Sequence, residues 1–200
     1  MPVGCPSLSR VLGFFTVVQR AEVGWFGGYL VLNGVGRPLE FHCTAPVRPS
    51  KAQHILYGPT LGAFLLGEQI GPALLAKSKV AADLIVTDQR DGLALAERTE
   101  APVLLVSDGA ADDQQDDDET AQGADGRRPI RRDGPHAGPA GRRASGRWTL
   151  GGRVAELAPV QQHRAADVRA LYETLPHELD LLEPFARIVE AIGEAQRAVR

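Results

Sequence analysis

The apolar and polar positions of this chain change period several times, and each change marks an element. Leu12–Gln19 is rich in Phe, Val and Thr and predicts a first β-strand. Ala21–Gly28 holds three glycines and reads as a turn, with Trp25 and Phe26 as lids on the core. Tyr29–Asn33 and Leu39–Thr44 are the next strands, joined through Gly34-Val35-Gly36-Arg37-Pro38 in a hairpin. Ser50-Lys51-Ala52-Gln53 has the form of a capping box and opens a helix that stops at Gly58-Pro59. Thr60 caps the next helix, whose apolar face runs from Leu61 to Leu75 and whose Gly71-Pro72 step predicts a kink. Asp83–Thr87 and Pro102–Val106 are further strands. The 14 residues between them, with a short helix over Arg90–Arg98, suit a crossover joining parallel strands.

The period then disappears. Asp108–Glu119 carries seven acidic residues, and Arg127–Arg147 carries seven arginines among Gly, Pro and Ala. Neither stretch has enough apolar surface to offset the entropy of ordering. The pattern resumes with two short β-prone runs around Gly151-Gly152, a helix over Arg164–Leu175, and a last helix with Pro184 in its first turn. Phe185, Ile188, Val189 and Ile192 form one stripe on that helix. The expected organisation is an α/β domain with a mixed sheet of about five strands at 10–107, a disordered charged tether at 108–146, and a C-terminal hairpin and helix pair at 147–200.

Composition narrows the partners. A net charge of −3 does not indicate nucleic acid or membrane. The longest apolar region, Ile55–Ala76, contains Glu68, Gln69, four glycines and two prolines, so it makes a poor spanning helix. Cys5 and Cys43 form neither a zinc pattern nor a disulfide framework, and the expected setting is a soluble protein in a reducing, cytoplasmic compartment. No phosphate loop or dinucleotide fingerprint is present.

The order of elements β-β-β-α-β-α-β over roughly residues 12–106 resembles the ribonuclease-H-like order. That resemblance implies carboxylates that bind divalent metals, one of them an Asp on the first strand, where Leu12–Gln19 has none. Asp88, at the end of the fourth strand, is the position that matches, and Glu68 on the long helix is a looser match. Asp88 and Asp91 are the candidate metal ligands and Asp88 the candidate catalytic carboxylate; their simpler roles are that Asp88 caps the helix that follows and Asp91 complements its dipole. Glu40 and His42 lie two apart on one strand face and form a candidate acid–base pair, with Leu39, Phe41 and Cys43 turned to the core. His54 is too isolated to complete a zinc site.

These readings favour a non-catalytic ligand-binding or protein-interaction module with no cofactor, holding its ligand in an apolar pocket between the sheet and the helix Leu61–Ala76. One alternative is a phosphoester hydrolase dependent on Mg or Mn through Asp88 and Glu68. Another is self-association, or an unknown protein partner, through Phe185, Ile188 and Ile192.

Overall fold

The computed structural model describes residues 10–108, 147–150 and 152–198. Apart from Asp108, the expected tether at 108–146 lies outside the described residues. One mixed sheet of seven strands organises the rest, in the order β3-β2-β1-β4-β5-β7-β6. The strands are β1 (Val11–Arg20), β2 (Gly24–Asn33), β3 (Pro38–Cys43), β4 (Leu84–Thr87), β5 (Val103–Ser107), β6 (Arg147–Leu150) and β7 (Arg153–Leu157). β1, β2 and β3 pair antiparallel, β4 lies parallel to both β1 and β5, and β7 returns antiparallel to β5. The expected mixed sheet is thus present, and the β6–β7 hairpin extends it.

Helices cover both faces. Alternation along β1 sends Leu12 and Phe14 to one side, with α4 (Ala165–Glu173) and α5 (Glu183–Ala198), and Phe15 and Val17 to the other. That second side carries a continuous helical run. It comprises α2 (Leu61–Phe64), a π-helical turn Leu65–Ile70 and α3 (Gly71–Leu75), with the 3-10 helix Arg90–Glu97 beside it. The short α1 (Lys51–Tyr57) precedes it with its Ser50–Gln53 capping box formed, and buries no residue.

Two local expectations need correction, and the Gly71-Pro72 step takes a particular form. Gly27-Gly28 is not part of a turn; β2 begins at Gly24, and the turn is confined to Ala21–Val23. Each of these glycines admits a helix against the strand. A Cβ on Gly27 would lie 2.1 Å from Ile70 Cγ2, and one on Gly28 would lie 2.2 Å from Ile188 Cγ2. The Gly71-Pro72 step closes a π-turn, with the Gly71 N–H donating to the Leu66 carbonyl, because Pro72 has no N–H to continue the α-helical ladder. Finally, Leu39 and Phe41 do not reach the core: they remain 46% and 37% exposed on β3, an edge strand.

Gln161 is the main polar tie between the C-terminal elements and the sheet. Its buried Oε1 accepts from the Val103 N–H (2.7 Å) and its Nε2 donates to the Ala101 carbonyl (3.0 Å). Three such partners, with the Ala96 carbonyl at 3.4 Å, satisfy a group that would be costly to bury alone.

Candidate functional site

The carboxyl ends of β1 and β4 bring Thr16 beside Asp88. Phe15 pairs with Thr87, so the next residue of each strand is adjacent, and the buried Thr16 hydroxyl donates to the Asp88 carboxylate. Asp88 as a residue is exposed, yet its carboxyl group is crowded; desolvation raises its pKa, opposed by the Thr16 hydroxyl and its own backbone N–H. Asp91 is likewise raised by desolvation, packed where a Cβ on Gly62 could not fit.

This corner does not suit a divalent metal. The first strand contributes a hydroxyl donor, Thr16, beside Asp88 and no carboxylate. Glu68 is not available, because its half-exposed carboxylate pairs with Arg98 at 3.0 Å on the helical layer that packs against Phe15 and Val17. Asp88 continues the alternation of Leu84 and Val86, which face α4 and α5 on the other side of the sheet. Among the described residues no group of three or more His, Cys, Asp or Glu side chains could hold a metal ion. Asp88, Asp91 and Glu68 therefore do not form one site.

Glu40 and His42 do meet, at 3.1 Å on β3. The Glu40 carboxylate also accepts from the Ser78 hydroxyl (2.8 Å) and the Lys79 N–H (3.0 Å). These donors, the Ser78 hydroxyl foremost and His42 next, lower its pKa from 4.5 to about 2. A carboxylate so fully engaged is a poor proton acceptor, and the pair acts as a clasp between β3 and the turn after α3. His54 is exposed on α1.

Phe185, Ile188 and Ile192 are buried at 5%, 0% and 1% exposure, with Phe185 edge-on to Phe14 at 5.7 Å between ring centroids. The stripe is the chain's own core and is not offered to a partner; α5 presents it to β1 and β2 because helical spacing aligns these positions over Gly28.

A cavity among the described residues lies on this same side, not between the sheet and residues 61–76. The latter interface is closed by Ile70 and Leu74 packed over Gly27. A cavity of about 590 Å³ opens between the end of the β1–β2 hairpin, the strand exit Cys43–Pro46 and the last turns of α5. Val23, Phe26, Cys43 and Ile192 supply its apolar wall, and Arg20, Gln196 and Arg197 its polar groups. Arg197 pairs with Glu194. The Arg20 guanidinium has no ion-pair partner among the described residues, and the buried Gln196 Nε2 has no hydrogen-bond partner there. Gly193 floors the space: a Cβ there would meet nothing nearer than Arg20 Nη2, at 3.8 Å.

Sequence reading passed over Arg20, although strand alternation places it on the same face as Leu12, Phe14, Thr16 and Val18. No local signal could have joined it to Gly193 and Gln196, more than 170 positions away. No protein-family model matches the chain, and no curated protein matches it in sequence.

Proposed function

We propose that this chain is a non-catalytic binding module whose cavity takes a small amphipathic anion, with the apolar part against Phe26 and Ile192 and the acid group at Arg20. The observation that carries this reading is the cavity itself. Its volume falls in the range of small-molecule sites, its wall is largely apolar, and one guanidinium without an ion-pair partner among the described residues stands in it. Guanidinium forms charge-assisted, bidentate hydrogen bonds to carboxylates. No described helix is long and apolar enough to cross a membrane, so the apolar surface here is not part of a spanning helix.

Thermal melts with octanoate and octanol test the reading. A ligand at about a hundred times its Kd stabilises by about 2.7 kcal/mol, or roughly 5–10 °C in Tm for a chain of this size. Octanoate is expected to raise Tm more than octanol, and Arg20→Gln to remove that difference. Gly193→Leu, whose Cβ meets no backbone and whose side chain intrudes between Arg20 and the apolar wall, is expected to reduce both shifts while the unliganded protein melts no lower than wild type. Equal shifts in wild type and Gly193→Leu, or none across carboxylates of increasing chain length, refute the proposal.

A further inference from the structure

We infer that β3 is a contact through which two copies of this chain pair, antiparallel and about a two-fold axis through Phe41. β3 is an edge of the seven-stranded sheet and is hydrogen-bonded to β2 alone among the described strands. Its other side has no backbone partner among the described residues. The Thr44 N–H donates to the Gly27 carbonyl at 3.0 Å, and inward and outward residues alternate along an antiparallel ladder. His42 and Glu40 therefore turn their peptide groups to β2, while Cys43 and Phe41 turn theirs outward, open to another strand.

The residues on that strand fit a second copy of themselves. Read in the opposite direction from Phe41, Leu39-Glu40-Phe41-His42-Cys43 sets Phe41 against Phe41, Glu40 against His42, and Leu39 against Cys43. Every apolar residue meets an apolar one and the acid meets the imidazole on both sides of the axis, which is the self-complementarity a two-fold contact needs. Leu39 and Phe41, 46% and 37% exposed, are the apolar surface this pairing would cover.

Edge strands are commonly protected by charge, bulges or proline. Here the one acid is already engaged within its own chain by the His42 ring, the Ser78 hydroxyl and the Lys79 backbone N–H. Pro38 lies outside the span Leu39–Cys43, and the register shift opposite Val31 and Leu32 falls at Leu39, the end of that span, leaving the central Glu40, Phe41 and His42 in regular register. The opposite edge, β6, is different: it begins with Arg147, and its Trp148 is covered by Arg169 at 4.9 Å. A single strand pair buries a small area, so the expected association is reversible. Leu39 of one copy would stand opposite Cys43 of the other, at the wall of the cavity, but the pairing does not depend on ligand binding there.

Sedimentation equilibrium of the full chain tests this. Wild type is expected to show a monomer–dimer equilibrium with Kd of the order of 10–100 µM. Phe41→Lys, and Leu39→Lys as a second variant at an equally exposed position, are expected to weaken it at least about tenfold with unchanged circular dichroism. A mixture of Glu40→His and His42→Glu chains is expected to pair more tightly than either variant alone, because only the mixed dimer sets acid against imidazole. Wild type that stays monomeric to about 1 mM, lysine variants that dimerise like wild type, or a mixture with no preference for the mixed dimer would each overturn the inference.

Discussion

Gly28→Ala should destabilise the protein through one atom, and a second substitution should partly reverse the effect. The added Cβ would stand 2.2 Å from Ile188 Cγ2 and 3.0 Å from Ile192 Cδ1, where carbon atoms prefer about 3.5–4.0 Å. Ile188 is fully buried and lies away from the cavity that Ile192 lines, which leaves the nearer of the two side chains no empty direction to turn. Overpacking of this kind costs about 1–3 kcal/mol, offset by the roughly 0.5–1 kcal/mol that alanine gains over glycine within a strand. The net expectation is a loss of about 1–2 kcal/mol. Ile188→Ala alone should cost about 2–5 kcal/mol by opening a cavity. In the double variant the new methyl occupies part of that cavity and the overlap is gone, so the combined loss should fall short of the sum by at least about 1 kcal/mol. Urea unfolding of the four proteins, with m-values compared to confirm a common transition, measures the cycle. If the two losses add to within about 0.5 kcal/mol, α5 does not lie on β2 as described.

Two further outcomes follow from the carboxylates. The pKa of Glu40 lies near 2 in the folded protein against 4.5 ordinarily, so its stabilising contribution is full above about 4.5 and is lost as pH falls towards 2. Glu40→Gln should flatten the fall in urea midpoint across that window, and an unchanged slope would contradict the clasp. The raised pKa of Asp88 has the opposite sense: stability is full below 3.8 and declines as pH rises through the folded value. Asp88→Asn should therefore unfold at higher urea than wild type at about pH 7 and match it at about pH 3, whereas a lower midpoint at neutral pH would refute the desolvation argument.

What the sequence made legible is what local chemistry decides. The Ser50–Gln53 capping box, the strands flanking Gly151-Gly152 and the stripe on α5 follow from spacing within a dozen residues, and each forms. Gly27-Gly28 was misread for a physical reason. A glycine that provides φ > 0 and one that provides room for a helix look identical in one dimension, and only the partners, Ile70 and Ile188, distinguish them. β3 was misread similarly: the alternation of Phe41 and Cys43 gives the face, but whether that face is covered depends on α5, which packs over β1 and β2 and leaves Leu39 and Phe41 exposed. Glu68 and Asp88 seemed able to converge because the chain does not show on which side of the sheet each element packs. The cavity was illegible because Arg20, Cys43 and Gly193 come from three separate elements.

The two sides of the sheet also differ in when they can be completed during synthesis. Apart from Ala158, the layer around Phe15, Tyr29 and Leu65 is assembled from residues 15–105, all available early. The opposite layer waits for Val168, Phe185, Ile188 and Ile192. Until those residues emerge, the nascent chain carries Leu12, Phe14, Leu30 and Val86 on an apolar sheet face with nothing to cover it. Such intermediates are prone to aggregate. Shortening the chain ahead of α5 would make that transient condition permanent, so the last helix protects the rest of the molecule as well as closing its core.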